Sequence, residues 1–314
     1  MTQAGRSCPL RYHYGARAIA KAPERSAETL YAVGGLYGNP LALDAVEAMA
    51  AKESGATTIC FNGDFNWFNI DDAGFRAINE RILRHDAILG NVEAELNDES
   101  GDAGCGCAYP DTVSHDVVER SNRIHATLKR TAARHPDLLA ALGRLPMIAR
   151  YRVGDLRVGV VHGDANALAG WRFDVDALLA TEHQDWLASA FVDADVDVFA
   201  SSHTCLPAMR CFDFGGVRLV ANNGAAGMPN ILGSRFGIVT RISPRPSPVR
   251  PLYGHQWNGH FVDALPLDYD HLQWKAHFLA NWPPGSPAYV SYFERIVLGP
   301  NYRFDRAFCC FDRN

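Results

Sequence analysis

Four polar residues in this chain of 314 residues stand directly after apolar, strand-like runs. They are Asp64 in CFNGDF, Asn91 in ILGNVE, His162 in VGVVHGD and His203 in FASSHT. The ends of strands in a rigid sheet can hold functional side chains in fixed positions. A carboxylate, an amide oxygen and two imidazoles form a mixed set of ligands that suits Mn²⁺, Fe²⁺ or Zn²⁺ better than Ca²⁺. We therefore regard these residues as candidate metal ligands, although a single histidine at a strand end is more often structural.

The elements that would position these residues alternate in type over the first part of the chain. Apolar runs predict buried strands at 30–33, 57–64 and 86–91, with amphipathic helices between them. The first of these helices has a capping residue in Asn39 and a proline, Pro40, at its first position. Strands that alternate with helices are typical of a parallel sheet that carries helices on its faces.

The alternation stops after the third strand. A loop rich in glycine and acidic residues, NDESGDAGCGCAYP, leads into a charged helix predicted over 113–133 and a short helix over 138–142. We interpret residues 96–146 as a helical cap inserted into the sheet fold. Further strands follow, with a helix predicted near 174–190 between them. The later strands are separated by short turns, which predicts that they form a largely antiparallel second sheet. The remaining chain, 243–314, is rich in proline and aromatic residues and is predicted to be an extension with two helices.

The composition excludes several classes of protein. The chain is 47% hydrophobic and 21% charged, which is typical of a globular protein, and its net charge of −5 argues against nucleic-acid binding as its main function. It has no apolar run of the roughly 18 residues that a membrane span requires. The eight cysteines are too sparse for a disulfide scaffold, so we expect them to be mostly reduced and the protein to be cytoplasmic, without a membrane partner.

Six short blocks occur in order between Leu30 and Ile242, namely GGLYGN, NGDFN, GNVE, VVHGD, SSHTCLP and NNGAAGMP. This series resembles the calcineurin-like metallophosphoesterase superfamily, whose pattern is D-x-H-G-N, G-D, G-N-H-[ED], H-G, G-H-T-H-x-P and N-P-G-S-x-G-x-P. The resemblance implies an α/β fold, a four-layer αββα sandwich of two mixed β-sheets flanked by helices, over residues 30–242. The chain would then comprise an N-terminal arm at 1–29, this domain with its cap insertion, and the C-terminal extension.

The resemblance also assigns metal ligands. In the family an aspartate bridges two metal ions, and here it corresponds to Asp64. The other ligands of the second metal ion correspond to Asn91, His162 and His203, so that site is fully kept.

The first metal site of the family is degenerate in this chain. Gly35, Tyr37 and Cys205 stand where the family has its three further ligands, and Val92 stands where the family has its catalytic histidine. The resemblance thus implies one or two divalent transition metal ions (Mn, Fe or Zn) per chain. Two structures of the metal centre are possible. The centre could be mononuclear, or the first site could be rebuilt from other ligands.

Tyr37 and Cys205 are our candidates for a direct role at the rebuilt or altered site, since a phenolate or a thiolate can bind a metal ion. The alternative is that these two side chains only fill space. The loop that contains Cys105 and Cys107 could also reach the site, although a loop without metal contact is the simpler interpretation.

The expected function is that of a metal-dependent hydrolase, a phosphatase or phosphodiesterase that uses a metal-bound water on a phosphoester or a related bond. Its partner would be a small phosphorylated molecule, whose identity the sequence does not give, nor does it give the oligomeric state. Trp67, Phe68 and Trp171 are candidates to line the pocket, and Arg120 or Arg123 could bind an anion. Two alternatives remain, namely a non-catalytic relative that serves in binding or as a scaffold, and a rebuilt site with different chemistry.

Overall fold

The computed structural model describes residues 4–98 and 100–310. The predicted arm, cap and extension each include residues outside these ranges, namely 1–3, 99 and 311–314. The strands are β1 (Glu24–Ser26), β2 (Thr29–Val33), β3 (Thr57–Asn62), β4 (Asp86–Ile88), β5 (Ile148–Val153), β6 (Leu156–Val161), β7 (Val198–Ser201), β8 (Pro207–Asp213), β9 (Val217–Asn223), β10 (Gly237–Ser243), β11 (Tyr253–Trp257), β12 (His260–Leu267) and β13 (Phe308–Cys309). The helices are α1 (Ala16–Lys21), α2 (Pro40–Ala50), α3 (Asp72–Ile82), α4 (Asn91–Ala94), α5 (His115–Ala132), α6 (Pro136–Leu142), α7 (Gln184–Ala194), α8 (His271–Asn281) and α9 (Pro287–Leu298).

These strands form two mixed sheets with helices on their outer faces, so the predicted fold class is confirmed. One sheet has six strands in the order β11-β12-β10-β2-β3-β4, and the other has seven in the order β1-β5-β6-β7-β9-β8-β13. Strands β2, β3 and β4 run parallel, as do β6, β7 and β9. No helix in the described part of the chain is long and apolar enough to cross a membrane.

Strand β2 shows why its sequence is apolar from Leu30 to Val33 rather than alternating. Leu30 and Ala32 belong to the core between the two sheets, whereas Tyr31 and Val33 belong to the core between the first sheet and the outer helices. A strand that is covered on both faces needs apolar side chains at every position. The helix that follows begins as predicted, because the side chain of Asn39 accepts hydrogen bonds from the first-turn amides of α2.

Three predictions of individual elements were wrong. The second sheet is not largely antiparallel, because its central strands β6, β7 and β9 are parallel. The helix expected at 174–190 is α7, which begins only at Gln184 after two short 3₁₀ turns. Strand β10 lies between β2 and β12 in the first sheet rather than in the second. Strand partners are set by contacts far apart in sequence, which periodicity alone does not reveal.

The C-terminal segment contributes strands that were not predicted. Strands β11 and β12 form a hairpin whose two-residue turn is Asn258-Gly259, with Trp257 opposite His260. Both turn residues have positive φ, 50° and 74°, and the Asn-Gly pair is the strongest short-range signal for such a turn. The sequence therefore carried the signal for this hairpin.

A single disulfide is found among the described cysteines, between Cys211 on β8 and Cys310 just after β13. It attaches the end of the described chain to the edge of the seven-stranded sheet. The other six described cysteines are free.

The topology brings the carboxyl ends of parallel strands from both sheets to one edge of the sandwich. Asp64 follows β3 and Asn91 follows β4, while His162 follows β6 and His203 follows β7. Loops at the carboxyl ends of parallel strands are the usual location of ligand sites in α/β folds.

Candidate metal centre

The four predicted metal ligands converge on one point. His162 Nε2 lies 3.0 Å from Asn91 Oδ1 and 3.3 Å from Asp64 Oδ1. His203 Nδ1 lies 3.2 Å from His162 Nε2. All four residues are buried. The structure therefore brings together every residue of the predicted set.

The outer nitrogen of each imidazole is bound to a backbone carbonyl. His162 Nδ1 donates to the carbonyl of Asn62 at 2.8 Å, and His203 Nε2 donates to the carbonyl of Cys107 at 3.1 Å. A carbonyl only accepts, so these ring nitrogens carry the hydrogen and the inward nitrogens carry a lone pair. Such outer hydrogen bonds fix the tautomer and the orientation of a metal-binding histidine.

Asn91 is oriented in the same way. Its Nδ2 donates to the carbonyl of Cys105 at 2.8 Å, so Oδ1 points inward. With the carboxylate of Asp64, four lone-pair atoms then face one another, and a cation between them would relieve their repulsion. Four ligands about 2.0–2.2 Å from one ion would lie roughly 3.3–3.6 Å apart in a tetrahedral arrangement, close to the measured separations. The residues present therefore fit a divalent transition metal ion.

The electrostatics of the centre favour one bound positive charge. Burial works to lower the pKa of His162, but the Asp64 carboxylate raises it on balance. Burial and the neighbouring His162 lower the pKa of His203 to about 3, so this ring is neutral near pH 7. Burial alone would raise the pKa of Asp64, yet the His162 ring beside it lowers that pKa. A metal ion would supply the charge that a proton on His162 supplies otherwise.

Tyr37 and Cys205 lie together rather than within this set of ligands. The hydroxyl of Tyr37 is 2.8 Å from Cys205 Sγ, and the thiol also donates to the carbonyl of His203 at 3.2 Å. Burial raises the pKa of both the phenol and the thiol. Among the described side chains, the compact metal-binding group near this site comprises Asp64, His162 and His203 without Cys205. A direct role for Tyr37 and Cys205 remains a prediction.

Three residues around the centre have an unusual backbone conformation. Tyr37, Asp64 and Cys205 have φ of 55°, 54° and 62°, a left-handed conformation that side chains other than glycine disfavour. Such strain concentrates at functional sites. The backbone at Tyr37 and Cys205 is therefore held in a strained form although the side chains differ from the family pattern.

Replacement of Tyr37 by phenylalanine and of Cys205 by serine tests their role. We expect each variant to keep its full metal content, because neither side chain belongs to the converging set. Metal content by inductively coupled plasma mass spectrometry, and a Co²⁺ spectrum without a thiolate charge-transfer band, would show this. Loss of metal in both variants would instead identify the pair as ligands of a rebuilt site.

The loop that carries Cys105 and Cys107 reaches the centre through its backbone. The two carbonyls hold Asn91 and His203, whereas Cys107 Sγ donates to the carbonyl of Cys105 at 3.6 Å. Sequence reasoning considered these residues only as thiol ligands and missed the carbonyls. The glycines of GDAGCGCAYP were the available signal, since Gly104 and Gly106 have positive φ of 62° and 67° and let the loop approach closely.

Glu93 is a second residue whose role the sequence did not reveal. Its fully buried carboxylate accepts hydrogen bonds from the backbone amides of Asp64, Phe65, Asn66 and Gly90, at 2.8, 3.1, 3.1 and 3.3 Å. Burial, with the Asp64 carboxylate, raises the pKa of Glu93 to about 7 although these amides oppose the shift. Glu93 therefore shapes the loop that presents Asp64, and is not simply a favourable charge at a helix start.

The variant Glu93→Gln should destabilise this loop, because its amide group places N–H donors against backbone donors. We expect a loss of about 1–3 kcal/mol in the free energy of unfolding and metal affinity weakened about 10–100-fold. Thermal unfolding and metal titration measure these changes, with the exposed Glu80→Gln on α3 as the matched control. Equal behaviour of the two variants would contradict this role.

A cavity of about 320 Å³ opens onto the centre. Its polar floor includes Asp64, Asn91 and His203, and two arginines, Arg120 on α5 and Arg295 on α9, also line it. Its apolar wall consists largely of aromatic and valine side chains, among them Trp67, Tyr109, Val117, Trp171, Val290 and Tyr292.

The sequence named some of these residues and not others. Trp67, Trp171 and Arg120 line the cavity as expected, whereas Phe68 is buried in the core and Arg123 is exposed. Arg295 was missed because it lies in the C-terminal segment, where no sequence motif points to it.

Comparison with known proteins supports the fold. A metallophosphoesterase from Sphaerobacter thermophilus is 17% identical and superimposes with a TM-score of 0.54, over 87% of this chain and 100% of that one. A hypothetical protein from Pyrococcus horikoshii OT3 is 12% identical, with a TM-score of 0.55, over 88% of this chain and 100% of that one. No protein-family model matches the sequence. No curated protein matches it either.

Proposed function

We propose that this chain, which has the metallophosphoesterase fold, is a metal-dependent phosphoester hydrolase with a mononuclear centre at Asp64, Asn91, His162 and His203. The observation that carries the proposal is the convergence of four buried lone-pair atoms whose outer sides are fixed by hydrogen bonds. A divalent ion bound there would polarise a phosphoryl oxygen and lower the pKa of water.

The cavity beside the centre indicates the kind of substrate. Its aromatic and valine wall favours an ester whose alcohol carries a flat, apolar group, because such groups gain most from burial against aromatic rings. The two arginines add positive charge beside the acidic floor and would attract the phosphate. A small aryl phosphate or aryl phosphodiester fits this combination better than a phosphorylated sugar or polyol.

Among the described residues that line the cavity, His203 is the one histidine, and it belongs to the proposed ligand set, so no histidine is left there to protonate the leaving group. Val92 takes the place of the family's histidine and lines the cavity. His125 lies nearby, but its Nε2 bonds to the carbonyl of Val92 at 3.0 Å and the ring is buried. Burial also lowers the pKa of His125 to about 4, so this ring is not a proton donor at neutral pH. We infer that esters with good leaving groups are the better substrates, since a general acid contributes typically 10²–10⁴-fold.

A non-catalytic role is the second candidate, and the loss of both the first metal site and the catalytic histidine favours it. Such a protein would use the same cavity to bind a phosphorylated ligand without turnover. Retention of every ligand of the other metal site favours the hydrolase instead.

Metal analysis and a substrate panel separate the two candidates. We expect about one Mn, Fe or Zn per chain, and hydrolysis of p-nitrophenyl phosphate or bis(p-nitrophenyl) phosphate that exceeds that of glycerol phosphate at least tenfold. One metal ion with no turnover of any ester would support the binding role, and no bound metal would contradict the hydrolase. Two metal ions would mean that the first site is rebuilt.

A further inference from the structure

Arg295 occupies the side of the cavity where the first metal site is degenerate. Its Nη2 donates to the carbonyl of Cys205 at 2.7 Å, and its Nε donates to the carbonyl of Pro229 at 3.1 Å. It lines the same cavity as Asp64 and His203. Its guanidinium is thus fixed next to the Tyr37–Cys205 pair, where the family pattern places ligands of a second ion.

The charge of Arg295 is not neutralised by a protein carboxylate. In residues 4–98 and 100–310 it forms no ion pair within 4.0 Å, and the acid that shares its cavity is Asp64. Both of its hydrogen bonds go to backbone carbonyls, and Nη1 has no partner within the same residues. A guanidinium that two backbone carbonyls hold beside a cavity, with one nitrogen left unpaired, is well suited to bind an anion.

We propose that Arg295 supplies the second positive charge of the site, in place of the missing metal ion, and binds a phosphoryl oxygen of the substrate. This inference rests on the proposed hydrolase function. A two-metal site stabilises the oxygens of the phosphoryl group from two sides. One metal ion with one arginine would provide the same pair of positive charges.

The position of Arg295 in the chain agrees with the proposal that its charge replaces that of a metal ion. It lies on α9, within the segment 243–314 that the family resemblance does not cover. Its anchor is the backbone of Cys205, one of the altered positions, and the Tyr37 hydroxyl fills the adjacent space. Helix α9 therefore brings a positive charge next to the Tyr37–Cys205 pair at this side of the cavity.

Binding of inorganic phosphate to the metal-loaded full chain tests the proposal without reliance on turnover. We expect Arg295→Gln to weaken phosphate binding about 10–100-fold in isothermal titration calorimetry. Its metal content should be unchanged, and its melting temperature should fall because the carbonyls of Cys205 and Pro229 lose a donor. Arg295→Lys should recover part of this loss, because it keeps the charge but not the planar pair of donors. The exposed Arg303→Gln, in the same segment, should bind phosphate as the wild type does.

The outcomes separate this proposal from the function on which it rests. If the wild type binds one metal ion and phosphate, but Arg295→Gln binds phosphate within threefold of it, Arg295 is not the second charge and the hydrolase proposal stands. If the wild type binds neither metal nor phosphate, both proposals are wrong. Weakening that the lysine variant does not relieve at all would show that the arginine acts through structure, which also overturns the assignment.

Discussion

The variants His162→Ala and His203→Ala will each lose most of the bound metal and all measurable hydrolase activity while they remain folded. Each removes one of four converging lone pairs and leaves the proposed ion with three protein ligands. Metal content after gel filtration measures the first effect, and circular dichroism confirms the fold. We expect at least a tenfold fall in metal occupancy for each variant.

His13→Ala is the matched control, because this histidine is exposed and distant in sequence from the site. It should keep the wild-type metal content. Unchanged metal content in both His162→Ala and His203→Ala would show that the ligand assignment is wrong, whatever the activity of the protein.

The ligand set could be predicted because each of its members ends an apolar strand. Burial on both faces makes β3, β4, β6 and β7 largely apolar, so each strand and the polar residue that follows it are visible in the sequence. The order of the six sequence blocks between Leu30 and Ile242 then predicted the fold. These patterns do not show which strand belongs to which sheet. For this reason β10 was assigned to the wrong sheet.

The interactions that orient the ligands could not be predicted, because most of them involve backbone atoms. The carbonyls of Asn62, Cys105 and Cys107 have no sequence signature, since any residue provides a carbonyl. Glu93 gave an ambiguous signal, because an acid at a helix start has a simpler explanation. Arg295 reaches the site only through the tertiary position of α9.

Introduction of the residues that the resembled family has at its first metal site tests whether this scaffold can hold a second metal ion. The variant with Gly35→Asp, Tyr37→His, Val92→His and Cys205→His should bind a second metal ion. It should also hydrolyse bis(p-nitrophenyl) phosphate at least tenfold faster, since it regains a second Lewis acid and a general acid. A quadruple variant that folds, binds two metal ions and remains inert would contradict the phosphoesterase interpretation.

The structure indicates that two of these changes, Gly35→Asp and Tyr37→His, should be made together. A Cβ on Gly35 would lie 3.0 Å from the ring of Tyr37, so Gly35→Asp alone should destabilise the protein, and Tyr37→His should relieve the contact. The left-handed φ of 65° at Gly35 adds a cost of about 1 kcal/mol that remains in either background. Melting temperatures of the single and double variants measure this difference.

Arg295 is expected to lower the affinity of the quadruple variant for its second metal ion. A second metal ion and the guanidinium would repel each other if both occupied the first site, so Arg295→Gln should raise the affinity of the quadruple variant for its second ion. The same substitution in the wild type should weaken phosphate binding. Arg295→Gln is therefore expected to raise the affinity for a metal ion in the quadruple variant and to lower the affinity for phosphate in the wild type. Metal titration of the quadruple variant with and without Arg295→Gln measures this. Equal affinity for the second ion would mean that the guanidinium does not compete with that ion, and the arginine would then act apart from the first site.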